Sequence, residues 1–471
     1  MASSGRCGRS WQSFATDVNH PVSAFILPER APVTHRRVDR PGTNGRGRIL
    51  IRGARCTFGP QDSAFASIEV FGKFIERIDS DPTLPRVATS NCTEIDLSGL
   101  LILPGLINAH DHLEFALFPR LANPPYQNYI EWGVDIHNTF ADAISRHRRV
   151  GKELRVWWGG IRNLLCGATT VSHHNPFRSE FARVDFPVRV IHEYGWGHSL
   201  ALGGDLLAAR VATPEGYPFI LHACEGIDDQ ARSELGNLDR AGLLDASTVL
   251  VHGLAMDRDE AALMRKRGAS LIVCPSSNHF LFGRVPALSV LGDIEHLSLG
   301  NDSPLTAEGD LLDEIRFTMQ ACGISPQNAY KMVTEAPAAI LRLKHSEGAI
   351  KVSGIADLIA VWDTGGVPAQ RLATLSMEDI EFVMLGGQVQ LASSLVLERL
   401  PIQIVQDLEP LSIDGAIRWL RAPVRDMLER TDRVLGAGQV RLGSRRLSVP
   451  SSPEKLDISQ EKRRLFAVEA I

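Results

Sequence analysis

From "RILIRGARCTF" to "CTEIDLSGLLI" the chain runs in short strand-like stretches of apolar and polar residues, which predicts β-strands with no helix between them. Gly72-Lys73 breaks "ASIEVFGKFIERI" into a hairpin. Beyond residue 105 the pattern changes to strands alternating with helices, the signature of a parallel βα architecture. The strand candidates are the run before His110, then "GATTVSHH" (167–174), "FPVRVIHEY" (186–194), "PFILHA" (218–223), "STVLVHG" (247–253), "ASLIVCP" (269–275) and "HLSLGNDSP" (296–304). That makes seven, with no eighth visible. Between them lie helical stretches such as "DRDEAALMRKRG", where Asp257 is placed to cap and Gly268 to stop.

A second strand-rich section follows, "EGAIKVSGIADLIAVWD" and "DIEFVMLGGQVQLAS". The two β sections flank the βα region and are expected to pair into one small sheet domain built from both ends of the chain. Residues beyond 400 predict one amphipathic helix, "IDGAIRWLRAPVRDMLERTDRVLG", interrupted at Pro423, and then a polar tail. Residues 1–46 are rich in Arg, Ser, Pro and Gly without apolar periodicity and read as a disordered leader. The expected units are therefore 1–46, 47–104 with 347–400, 105–346, and a helical extension and tail over 401–471.

Composition narrows the classes. A chain of 471 residues with 44% apolar content can bury more than one core. Its net charge of −5 carries no general basic footprint, so neither nucleic acid nor an anionic membrane is the expected partner. Seven scattered cysteines without CxxC spacing argue for reduced thiols and a cytoplasmic setting, and against a structural zinc knuckle.

The chemistry sits at the strand ends. In "LILPGLINAHDHLEFALF" the imidazoles of His110 and His112 share one face of a strand, because side chains alternate with period two. Such a pair also arises by chance on half-buried strands, so it needs further ligands. Polar residues recur where other strands end: His173 and His174, His192 and Glu193, His222, His252 and Asp302. In a parallel barrel that end forms the concave face where catalytic residues gather. Three imidazoles from two strands plus one carboxylate from the last strand make an N3O set suited to Zn²⁺ or Fe²⁺, with a position left for water. Taken singly, Asp302 before Pro304 also suits an Asx-turn, and Glu225 also suits the start of a helix "EGIDDQARSEL".

These residues resemble the amidohydrolase superfamily, in the branch containing cytosine deaminase, guanine deaminase, adenosylhomocysteine deaminase and the triazine hydrolases. The resemblance spans roughly residues 48 to 395 and rests on five motifs in order: "LILPGLINAHDHL", "LHACEG", "VLVHGLAMD", "VCPSSNHFLFG" and "LGNDSP". It implies a TIM-type (β/α)8 barrel with a small β-sandwich domain formed by the flanking segments. It further implies a metal-dependent hydrolase of C–N bonds other than peptide bonds, acting on a small nitrogen heterocycle through a hydroxide on one divalent metal, Zn²⁺ or Fe²⁺. By the resemblance His110, His112, His222 and Asp302 would hold that metal. Asp302 would also accept a proton, Glu225 would shuttle it, and His252 would orient the hydroxide or the developing oxyanion. A small-molecule substrate and a homodimer are likewise implied.

Only about thirty residues separate Glu193 from His222, where the family usually fits a further strand, and "EYGWGHSLALGGDLL" stands there instead. A contracted barrel is the expected consequence, and substrate residues such as Trp196 and His198 stay unassigned. Two alternatives remain at this point. A binuclear relative would use Glu193 as bridging ligand, since no lysine sits at a middle strand end. A non-enzymatic assembly protein of the same fold would have lost ligands, and none is lost.

Overall fold

The computed structural model describes residues 47–80, 92–292, 296–307 and 309–450. The expected leader and the last part of the polar tail lie outside the described residues. Two β-sheets are built from the segments that flank the βα region. One has four strands, in the order Phe74–Asp79, Ser67–Phe71, Arg48–Arg52 and Cys92–Asp96. In the other, of ten strands, the two ends of the chain meet: Leu358–Trp362 runs antiparallel to Leu100–Pro104, with Ala360 opposite Ile102. The sheets share an apolar cluster in which Ile51, Ile68 and Ile95 pack with Leu100, Leu358 and Phe382. The hairpin forms at Gly72, whose φ of +61° lies where a side chain would be strained.

The expected C-terminal helix is a helix only after Pro423. Residues Ala416–Leu420 form a strand against Gln388–Ser393 and Glu409–Ile413, and the helix Val424–Leu435 follows. "AIRWL" fits either period, and the unpaired backbone groups along Gln388–Ser393 decide for a strand.

All seven predicted parallel strands are present. They fall into two ladders. Leu106–Asp111, Ala168–His173 and Arg189–Val190 make the first, while Phe219–Ala223, Thr248–His252, Ser270–Val273 and Leu297–Leu299 join the second. The second ladder begins with one further strand, Gly195–Trp196, inside the segment where a contraction was expected. Only residues 191–194 separate it from Arg189–Val190, far too few for a crossover helix. The stretch from Arg189 to Trp196 is thus one bent segment. Its first half pairs with Ala168–His173, and its second with Phe219–Ala223 through Gly195 N–H to the Pro218 carbonyl at 2.9 Å. At the opposite seam the Asp302 N–H donates to the His110 carbonyl at 3.1 Å. Gly300 lies so close there that a Cβ would stand 2.5 Å from that of His110.

The helix Arg258–Arg267 shows how local signals set the boundaries. The Asp257 carboxylate accepts from the N–H groups of Asp259 at 2.8 Å and Glu260 at 3.2 Å, and Gly268 ends the helix at φ +70°. No helix among the described residues is long and apolar enough to cross a membrane.

Parallel strands and ten-stranded sheet are locked by one ion pair. Arg189 reaches from its strand to the buried carboxylate of Asp357, with Nη2 3.1 Å from Oδ1, and the Gly386 N–H donates to the same Oδ1 at 2.7 Å. Removing one member of a buried pair strands the other, at a typical cost of about 3–5 kcal/mol. Asp357→Ala is expected to lose stability on that scale in urea titrations. A loss below about 1 kcal/mol, the range of surface pairs, would show that the pair is solvated.

Candidate active site

The common direction of the parallel strands brings the candidate residues to one end. His110 lies in Leu106–Asp111 with His112 just beyond it, His222 lies in Phe219–Ala223, His252 closes Thr248–His252, and Asp302 follows Leu297–Leu299. All five are buried. The backbone is strained at this end: Cys224, His252 and Asp302 have φ of +56°, +80° and +55°. Such conformations cost on the order of 1–3 kcal/mol each and persist where the surroundings over-determine them. Here those surroundings include the Glu234 carboxylate, which accepts from the Cys224 N–H at 2.7 Å.

The donor atoms converge. His110 Nε2 lies 3.2 Å from His222 Nε2 and 3.5 Å from Asp302 Oδ1, and His112 Nε2 lies 3.7 Å from the same oxygen. A four-coordinate ion with bonds of about 2.0–2.1 Å holds its donors about 3.4 Å apart, and these three separations lie near that value. The donors form two overlapping triplets, His110–His112–Asp302 and His110–His174–His222.

Neighbouring groups aim the ligand atoms. The His198 carbonyl lies 2.9 Å from His222 Nδ1 and so fixes the proton there, leaving the Nε2 lone pair turned toward His110. The second oxygen of Asp302 is held by Ser277 Oγ at 2.7 Å and Thr306 Oγ1 at 3.1 Å, which leaves Oδ1 for the histidines. Asn175 holds His112 Nδ1 at 3.1 Å. Burial, then the neighbouring His174 and His198, push His222 well below the usual imidazole range, and burial takes His252 down to about 4. Asp302 is pushed up by burial, yet its hydrogen bond to His110 and the nearby imidazoles prevail and hold it well below the usual carboxylate range. The lowered imidazoles of His112 and His222 and the lowered carboxyl of Asp302 favour the protonation states that metal binding requires.

Glu225 and His252 form the other half of the site, with Glu225 Oε2 3.5 Å from His252 Nε2. Asn278 Nδ2 lies 3.1 Å from His252 Nδ1; donating there, it leaves the ring proton on Nε2, facing Glu225. Burial, reinforced by Asp302 and Glu234, raises the Glu225 carboxyl well above its ordinary value, which favours its protonated form. Of the two readings of Glu225, the loop beyond His222 and the start of a helix, the structure has the loop. That helix runs Asp229–Arg240 behind the cap of Asp228, and Glu225 stands in the preceding loop. The chain beyond His112 is tied to the loops at this end: the Leu121 N–H donates to the Leu305 carbonyl, Tyr126 N–H to Leu281 and Tyr129 N–H to Glu225.

Other polar strand ends serve elsewhere. Glu193 lies outside the cluster, paired with Lys344 over a partly exposed surface, so a bridging role for it has no geometric basis. His192 is exposed and packs on Phe177. His173 faces Glu114, with Nε2 3.3 Å from its carboxylate, and Glu114 in turn meets Lys152. Sequence reasoning left several contributors unassigned, among them Asn175, Thr306 and Glu234. Ser277 and Asn278 lie within the quoted "CPSSN" motif, and His174 was noted at a strand end without a role.

Residues 208–390 match the model of the amidohydrolase family. The chain is 25% identical over 350 residues to the 5-methylthioadenosine/S-adenosylhomocysteine deaminase of Haloquadratum walsbyi, covering 61% of this chain and 77% of that protein. Its fold is similar to that of atrazine chlorohydrolase from Arthrobacter aurescens, solved with zinc, at a TM-score of 0.63 and 16% identity over 82% of this chain and 100% of the other. It is also similar to an adenosine deaminase from Xanthomonas campestris with bound zinc, at a TM-score of 0.60 and 18% identity over 82% of this chain and 98% of the other. Those structural likenesses carry the fold, a TIM-barrel-type amidohydrolase fold.

Proposed function

We propose that this chain, a member of the amidohydrolase superfamily, is a metal-dependent hydrolase that removes an amino group from a small nitrogen heterocycle. The observation that carries the reading is the meeting, at one end of five parallel strands, of a convergent His/Asp donor set with the Glu225–His252 pair. His110, His112, His222 and Asp302 would hold one Zn²⁺ or Fe²⁺. When bound, such an ion supplies the Lewis acidity that makes water a nucleophile at neutral pH.

The chain's own residues do the rest. Asp302, whose Oδ1 is the oxygen that Ser277 and Thr306 do not bond, would accept the proton of the attacking water there. Glu225, held protonated by burial, gives its proton to the ring nitrogen or the departing amine. His252 Nε2–H donates a hydrogen bond to the charge that develops on the attacking oxygen. Residues 113–129, tied to the loops at this end, would keep bulk water out of the site, which would strengthen each of these interactions.

The same reading takes the two ladders as one contracted barrel. The bent segment Arg189–Trp196 would join them on one side and the Asp302–His110 backbone bond on the other, with the two flanking sheets as its β-sandwich. The test of function is ammonia release by the zinc- and iron-loaded protein across aminated purines and their thioether nucleosides, pyrimidines, pterins and triazines. At least one class should turn over. Silence across the whole panel with a metal-replete protein would refute deamination.

A further inference from the structure

We propose that His174 is a ligand of the ion, bound together with His110 and His222. The proposal rests on the metal reading above and extends it to a residue that no quoted motif assigns. His174 follows the strand Ala168–His173, and its backbone N–H donates to the Asp111 carbonyl at 3.0 Å, which fixes where its side chain starts. The ring centre lies 4.1 Å from that of His222 and 5.0 Å from that of His110. One ring nitrogen of each of the three residues falls within a common span of 4.8 Å.

The second observation is an unmet need. His174 is 1% exposed, yet neither Nδ1 nor Nε2 has a hydrogen-bond partner. A buried polar atom in that state has lost its water without compensation, and native proteins rarely leave two on one side chain. The nearest imidazole has no proton to offer, because the Nδ1 proton of His222 is committed to the His198 carbonyl. A shared cation takes one ring nitrogen of His174 together with Nε2 of His222. The adjacent His173 differs in having one nitrogen bonded and the other beside a carboxylate: Leu113 N–H donates to its Nδ1 at 3.2 Å, and Glu114 lies 3.3 Å from its Nε2, which has no hydrogen bond. Adding His174 enlarges the donor set with another imidazole, a ligand that suits zinc and iron alike.

The test measures metal binding directly in the full chain. Zinc affinity is obtained by competition with a chromophoric chelator, and the visible spectrum of the Co²⁺-substituted protein reports the ligand set. The unsubstituted chain is compared with His174→Gln and His174→Ala, the glutamine preserving volume should the alanine variant fold poorly. Both variants should bind zinc at least about tenfold more weakly and show an altered Co²⁺ spectrum, while the metal-free melting temperature of His174→Gln stays unchanged. Zinc binding by the unsubstituted chain with unchanged affinity and spectrum in His174→Gln would overturn the assignment of His174 alone. No zinc uptake by the unsubstituted chain would overturn the metal reading and this proposal with it.

Discussion

Glu225→Gln is expected to keep its metal and its fold while turnover falls by about 10²–10⁴-fold, the usual cost of losing a positioned general acid or base. That loss corresponds to about 3–5 kcal/mol of barrier, well beyond assay error. The physical basis is the proton that burial, Asp302 and Glu234 keep on the Glu225 carboxyl, beside His252 at 3.5 Å. Glutamine has nearly the same shape and retains a polar end, but it cannot give up and recover a proton. A structural role for Glu225 is also weaker than the sequence allowed, since the helix begins only at Asp229 and no macrodipole term is at stake. The check is kcat on an identified substrate, with metal content and melting temperature measured on the same preparation. Near-unchanged kcat in a metal-replete variant would end the proposed proton shuttle.

His110→Ala is expected to cost the metal itself. His110 is fully buried and is the donor common to both triplets, so its loss disturbs each of them. Removing a residue that merely supports a ligand typically weakens metal binding by 10–100-fold, and removal of this ligand should exceed that range. Asp302→Ala should also release metal, because it removes the one carboxylate from the set. Elemental analysis after dialysis, with chelator competition for the affinity, checks both. Each substitution also removes buried contacts, so melting of the chelated proteins separates loss of fold from loss of ligand. Full metal occupancy in His110→Ala would move the ion to a different set of residues.

The candidate site was legible in the sequence to the extent that its chemistry is local. Period-two alternation placed His110 and His112 on one face, and the motifs around His222, His252 and Asp302 each mark a strand end, so the residues could be named before their distances were known. Capping worked likewise: Asp257 and Gly268 bound a helix through contacts within a few residues. Where the outcome depended on distant partners, the sequence left it open. Gly195–Trp196 carries no strand signal of its own and is a strand because its flanking glycines pair with Pro218 and Ile220. "AIRWL" became a strand because a sheet edge stood ready for it. Glu193 looked like His222 in its position, yet Lys344, 151 residues away, draws it to the surface.

The adjacent pair His173 and His174 shows the division most plainly. Alternation along a strand requires the two imidazoles to face apart, and the sequence determined that much. Which of them turns toward His110 and His222 was decided by register, the pairing of His173 with Asp111 in the neighbouring strand, and by the Asp111 carbonyl that holds His174 in place. A one-residue slip would have exchanged them. Register is a contact between segments some sixty residues apart, so it belongs to the packed chain and to no window of its sequence.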